Sequence, residues 1–169
     1  YLNITVVDEL PTLSYSPNSL VLIKDNQSTD LPLNATLTGP GTITSWEINA
    51  TLPSGLNFGT SNGTVWGIPT VLQTTAAAYT IWANNSGGSS VAYLNITVVD
   101  QLPTIAYSAS NLLLTNNTPS TNLPLVPTLT GAGEITSWAI NASLPAGLTF
   151  ETSNGTIWGT PTVLQTSPI

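Results

Sequence analysis

Apolar and polar residues alternate along this chain in short runs, with the two-residue period of β-strands. In residues 2–7, LNITVV, Leu2, Ile4 and Val6 share one side while Asn3, Thr5 and Val7 share the other. In residues 45–49, SWEIN, Trp46 and Ile48 oppose Ser45, Glu47 and Asn49. In residues 79–84, YTIWAN, Tyr79, Ile81 and Ala83 oppose Thr80, Trp82 and Asn84. This alternation places Trp46 in a core, turns Trp82 outward and makes Tyr79 the candidate for a corner tyrosine. Strands are expected over residues 20–23, 31–37, 42–50, 64–68, 78–84 and 89–99. The clusters GPG, PSG, SNG and NNSGG separate them and supply glycine where a turn needs positive φ. No stretch sustains a helical period, and Pro11, Pro32, Pro53 and Pro69 sit at run edges, where a missing N–H costs least. The pattern is that of an all-β chain.

The pattern also repeats. Residues 1–12 read YLNITVVDELPT and residues 93–104 read YLNITVVDQLPT, so only Glu9 and Gln101 differ. A shift of 92 positions aligns the chain with itself without a gap, about two in three aligned residues being identical. Tyr15 falls on Tyr107, Trp46 on Trp138 and Trp66 on Trp158. A period of this size suits immunoglobulin-like sandwiches, which take ~100 residues each. The expected organisation is residues 1–7 as the closing strand of a preceding repeat, 8–100 as one complete repeat, and 101–169 as a second repeat lacking its last two strands. The chain then reads as a window onto a longer array. Strand donation between subunits is the sharper alternative. Residues 1–7 could stand in for the missing last strand, but nothing stands in for the strand before it.

Composition narrows the chemistry. The chain has no Cys and no His, which removes disulfides, thiol nucleophiles, catalytic triads and the commonest metal ligand. Lys24 is the only basic side chain against eight acidic ones, a net charge of −7. Nucleic acid needs clustered Lys and Arg and is excluded as a partner; anionic membranes are disfavoured for the same reason. No apolar run approaches the ~20 residues of a membrane span, so no membrane insertion is expected in this segment. An enzyme is not expected either. Glu47 and Glu134 could be paired for sugar hydrolysis, but Glu47 becomes Ala139 in the other copy and Glu134 answers to Thr42. An isopeptide cross-link needs a Lys in each unit, and Lys24 becomes Asn116.

What the composition leaves is an excess of Asn-x-Ser/Thr sequons. They occur at Asn3, Asn26, Asn34, Asn49, Asn62, Asn84, Asn95, Asn116, Asn141 and Asn154. With 16 Asn in the chain, chance gives about four. Asn62-Gly63 and Asn154-Gly155 suit turns in their own right. Asn3, Asn95, Asn49 and Asn141 instead fall on outward strand faces, where Asn is a poor strand former and glycan attachment explains it better. Trp66, Trp82 and Trp158 also fall outward, as candidates for sugar or subunit contact; coverage of an inter-domain junction is the competing explanation.

The segment LPSGLNFGTSNGTVWGIPT (52–70), followed by YTIWANNSGG and YLNITVVD, resembles the Putative Ig domains found in tandem in large archaeal and bacterial surface proteins. Leu52, Pro53, Gly55, Leu56, Gly63, Thr64, Gly67 and Pro69 carry the motif. Leu144, Pro145, Gly147, Leu148, Gly155, Thr156, Gly159 and Pro161 repeat it. The resemblance implies tandem, cadherin-like β-sandwiches in an extracellular, cell-surface protein. Many cadherin-like modules hold Ca²⁺ at their junctions. The acids here are Asp8-Glu9 at one junction and Asp100-Gln101 at the other, while Asp25 and Asp30 become Asn117 and Asn122. A hard-cation site wants several carboxylates, so solvated acids are expected and junction calcium is the minor alternative; no metal ligand or other cofactor is assigned. The functional expectation is a structural repeat of a long glycosylated stalk, sheath or filament, joined head to tail through residues 8–12 and 100–104. The alternative is an adhesin or carbohydrate-binding module.

Overall fold

The computed structural model describes residues 1–131 and 133–167, and the expected end of the second repeat at 169 lies outside them. The chain divides into unit 1, Tyr1–Asp100, and unit 2, Gln101–Ile169. The ordered elements of both units are strands, without helix among the described residues.

Unit 1 contains β1 (Thr12–Ser14), β2 (Ser19–Ile23), β3 (Thr36–Thr38), β4 (Ser45–Ile48), β5 (Leu56–Phe58), β6 (Val65–Gly67), β7 (Gln73–Asn85) and β8 (Gly88–Val99). One layer is a four-stranded sheet in the order β2-β8-β7-β4. The β7–β8 hairpin is antiparallel; β2 runs parallel to β8, with Leu20 opposite Ile96 and Leu22 opposite Val98. The other layer is assembled from shorter ladders. β1 pairs with β3, Leu33 bridges to Val65, and β6 pairs with β5. Two sheets packed on one apolar core make an Ig-like sandwich.

The alternation explains the core. Along β8, Leu94, Ile96 and Val98 are fully buried while Tyr93 and Asn95 are exposed. Each such aliphatic side chain stabilises the fold by roughly 1.5–3 kcal/mol. They pack in one cluster with Tyr79, Ile81 and Ala83 of β7 and with Leu13, Leu20, Leu22, Trp46 and Val65. Trp46 is buried and Trp82 points to the opposite side of the sheet, as their strand positions require.

Element bounds depart from the sequence expectation in instructive ways. β7 begins at Gln73 rather than 78, with an irregularity in its ladder between Gln73 and Ala77. Gln73 holds that irregularity together: its Nε2 donates to the Ile96 carbonyl at 2.8 Å and its Oε1 accepts from the Tyr79 hydroxyl at 3.3 Å. Tyr79 therefore ties a bulge and is not the corner tyrosine expected of it. The expected strand over 31–37 shortens to β3, because Leu33 and its neighbours turn to bridge β6. β1 and β5, three residues each, carry too little alternation to be seen in sequence.

Residues 1–7, expected as a strand, make no ladder among the described residues, and Leu2, Ile4 and Val6 are 82%, 76% and 89% exposed. The chain is fixed just after them. The Asp8 N–H donates to Ser86 Oγ at 2.9 Å, and Asn85 Nδ2 donates to the Glu9 carbonyl at 2.8 Å. Ser90 Oγ, buried, donates to the Pro11 carbonyl.

Unit 2 contains β9 (Thr104–Ala106), β10 (Thr128–Thr130), β11 (Leu148–Phe150) and β12 (Ile157–Gly159). β9 pairs with β10, β11 with β12, and Leu125 bridges to Ile157. These ladders reproduce one layer of unit 1. Among the described residues the opposite layer has no counterpart of β2, β4, β7 or β8. Leu112, Leu114, Trp138, Leu144 and Leu148 are accordingly only half-buried, although their counterparts Leu20, Leu22, Trp46, Leu52 and Leu56 are buried.

Candidate glycan and contact surfaces

The SNG turn is the best-defined candidate site, and it recurs in both units. In unit 1, Gly63 has φ 69° and lies flat against Trp46; a Cβ there would come within 2.4 Å of the indole. The Tyr15 hydroxyl donates to the Gly63 carbonyl at 2.5 Å. Burial pushes the Tyr15 phenol well above its ordinary value. Asn62 Oδ1 accepts from the Thr64 N–H at 3.0 Å, an Asx turn at an exposed asparagine. Unit 2 repeats the arrangement. Tyr107 donates to the Gly155 carbonyl at 2.6 Å, Asn154 Oδ1 accepts from Thr156 N–H at 2.9 Å, and Gly155 faces Trp138. Tyr15 and Tyr107 are the tyrosines that clasp the turn. Their coincidence under the 92-residue shift was the available signal, and strand alternation alone pointed to Tyr79 instead.

The remaining motif glycines are explained by backbone proximity. A Cβ on Gly55 would meet the Ile68 carbonyl at 1.9 Å, and one on Gly67 would meet the Gly55 carbonyl at 2.1 Å. Ile68 N–H donates to the Gly55 carbonyl and Thr70 N–H to that of Ser54. Gly147 and Gly159 make the corresponding approaches in unit 2.

The sequons fall into groups. Asn3, Asn26, Asn95 and Asn141 are exposed, as are Asn62 and Asn154 in their turns. Asn34 and Asn49 are exposed but engaged through Oδ1, with the Thr64 hydroxyl and the Thr80 N–H. Asn84 is half-buried and its Nδ2 donates to Ser45 Oγ at 3.2 Å and Glu47 Oε1 at 2.9 Å. Both amide hydrogens are thus committed. Ser86, the third residue of that sequon, is itself tied to Asp8. Asn116 is half-buried with its Oδ1 enclosed and unpaired.

Trp66 and Trp158 are 42% and 48% exposed on the outer side of β6 and β12. A Cβ on Gly59 would meet Asn62 Oδ1 at 2.2 Å and the Trp66 ring at 3.2 Å, so both side chains border one glycine. Trp82 is half-buried on the outer face of the four-stranded sheet, opposite Val91 on one side and Glu47 on the other. Tyr93 is 64% exposed on the same face. The junction acids are scattered: Asp8 is held by Ser86 and Asp25 lies 3.2 Å from Lys24. Among the described residues no three His, Cys, Asp or Glu side chains converge, and no helix is long and apolar enough to cross a membrane.

Comparison with known proteins accords with this geometry. The family described as Putative Ig domain matches residues 11–99 and again residues 103–168. The serine-rich adhesin for platelets of Staphylococcus aureus is 32% identical over 143 residues, covering 81% of this chain and 6% of that protein. Its counterpart in strain MRSA252 is 30% identical over 139 residues, covering 81% of this chain and 10% of that protein. The chain thus spans about a tenth or less of the length of these curated relatives. Among solved structures, human protocadherin-24 EC1-2 aligns over 95% of this chain and 80% of its own, at 13% identity and TM-score 0.45. Protocadherin gamma B7 extracellular cadherin domains 1-4 align over 94% of this chain and 43% of that one, at 15% identity and TM-score 0.42. Two matched segments, each holding the same glycine-tryptophan-tyrosine turn, show that the chain belongs to the Putative Ig domain family as a tandem of all-β, Ig-like repeats.

Proposed function

We propose that this chain is a structural repeat of a long, glycosylated, extracellular stalk, sheath or filament at the cell surface. The observation that carries the reading is the sameness of the two units. Tyr15–Gly63–Trp46 and Tyr107–Gly155–Trp138 make the same contacts 92 residues apart. A ligand site needs one distinctive copy, whereas a spacer needs interchangeable ones that each fold locally. With one basic residue and few charges overall, carbohydrate on the exposed sequons supplies the missing surface polarity. Units join head to tail, and no catalytic role is assigned.

A second reading, an adhesin or carbohydrate-binding module, is favoured by the adhesin relatives and by the exposed Trp66 and Trp158. Brief protease treatment of intact cells of the source organism tests surface display. Release of peptides from both units while cytoplasmic markers stay intact is expected. Recovery of these peptides only after lysis would overturn the proposal. Glycan-array binding abolished by Trp66→Ala and Trp158→Ala would favour the second reading.

A further inference from the structure

Tyr93, Asn95 and Thr97 occupy alternate positions of β8 and share its outer side, while Leu94, Ile96 and Val98 are buried in the core. Asn95 and Thr97 belong to one sequon, so an aromatic ring stands two residues before a glycan acceptor on the same face. Alternate residues of a strand lie roughly 6.5–7 Å apart, which places the first sugar carried by Asn95 beside Tyr93. Asn95 is exposed and lies opposite Ser19 of β2 and Ala78 of β7, two short side chains, so nothing bulky stands on either flank. Its N–H donates to the Asn18 carbonyl at 2.9 Å, which pins the backbone beneath it. The adjacent strand carries the same spacing in Trp82, Asn84 and Ser86, but there Asn84 Nδ2 already donates to Ser45 and Glu47.

We propose that the outer face of β8 seats the chain's own carbohydrate: the first sugar on Asn95 lies with its apolar C–H face on the Tyr93 ring. This deepens the glycosylated-repeat reading above and rests on it for a sugar being attached. The attachment is made by an external glycosyltransferase. Asn95 Nδ2 bonds to the anomeric carbon of a lipid-linked sugar phosphate, the anomeric C–O bond breaks, the phosphate-bearing lipid leaves and the amide releases one proton. Three features of β8 favour the stack that follows. Tyr93 faces Thr80 across the ladder and keeps 64% of its surface exposed, so the ring is open to a ligand. Acceptor and ring are on one face of one strand, with no turn between them. β8 is paired on both sides at Asn95, so the backbone is already ordered when the sugar settles and little conformational freedom is lost. The C–H groups of a pyranose then meet the negative face of the ring, and a ring that the sheet leaves in water is covered. The phenol hydroxyl has no part in this contact.

The full chain, secreted from yeast and trimmed by endoglycosidase to one N-acetylglucosamine per occupied sequon, tests it. Wild type, Tyr93→Thr, Asn95→Gln and the double variant form a thermodynamic cycle, read by urea unfolding with hydrogen exchange in peptides from residues 1–100. With a sugar–ring stack taken as comparable to an aromatic pair, Tyr93 and the Asn95 sugar should be coupled by about 2- to 12-fold in the folding constant. Tyr93→Phe should keep the coupling, and the same four chains made without glycan in bacteria should lose it. In NMR the ring protons of the Asn95 sugar should lie upfield through the Tyr93 ring current and return to ordinary positions in Tyr93→Thr. A bare Asn95 peptide beside a glycosylated Asn62 peptide would overturn the proposal. So would coupling that is absent from the glycosylated chains or equally large in the bare ones, or sugar protons indifferent to Tyr93→Thr. None of these outcomes touches the surface-module reading, which is tested on intact cells.

Discussion

Replacing Gly63 by alanine probes the clasp on which both the family motif and the Asn62 site depend. Two costs add. Gly63 has φ 69°, a left-handed conformation that costs an L-residue roughly 1–2 kcal/mol. The new methyl would also lie 2.4 Å from the Trp46 ring. Trp46 is 6% exposed within the core cluster, so it cannot swing into solvent, and such overpacking costs about 1–3 kcal/mol. The sum is about 2–5 kcal/mol, a large fraction of a small domain's stability. Urea unfolding followed by hydrogen exchange in peptides from residues 1–100 isolates unit 1 from unit 2. Ser61→Ala, an exposed turn position beside it, serves as the control and should change stability by less than about 0.5 kcal/mol. A loss below about 1 kcal/mol in Gly63→Ala would refute the reasoning, because it would mean that neither the backbone conformation nor the tryptophan contact constrains this glycine.

Other outcomes follow from the same geometry. The folded state keeps the Tyr15 phenol neutral, whereas the unfolded chain ionises it near its ordinary value of 10.0; stability is full below that pH and falls above it by about 1.4 kcal/mol per pH unit. Tyr15→Phe should remove that alkaline slope in pH-dependent melts while losing about 1–3 kcal/mol at neutral pH from the unpaired Gly63 carbonyl. Chelator should leave the thermal melt unchanged, measured by calorimetry with and without added Ca²⁺; a fall of more than about 10 °C would reveal a maintained cation site. Among sequons, Asn84→Gln should destabilise unit 1 by about 1 kcal/mol in urea melts through its lost bonds to Ser45 and Glu47, whereas Asn26→Gln should be neutral.

The repeat and the long strands were legible in the sequence for a physical reason. β7 and β8 bury one face and expose the other over a dozen residues, so alternation accumulates into a clear signal. Trp46 and Trp82 could be assigned to faces on that basis alone. β1 and β5 are three residues long, too short for alternation to register, and β1 pairs with β3, more than twenty residues further on. The role of Tyr15 was hidden similarly, since its partner Gly63 is 48 residues away and the bond is to a backbone carbonyl. The bulge at Gln73 escaped because a polar side chain there reads as a strand end, whereas it bonds across to β8. The sequons were visible as a motif, but sequence could not separate the exposed Asn62 from Asn84, whose two amide hydrogens are both engaged.

The central claim, a surface repeat clothed in carbohydrate, is tested most directly by glycopeptide mapping of the protein from its native source. The account predicts that peptides containing Asn62 and Asn154 carry glycan mass above that of their bare sequence, with the Asn84 peptide unmodified. Asn62 and Asn154 peptides recovered only at the mass of the bare sequence would contradict it.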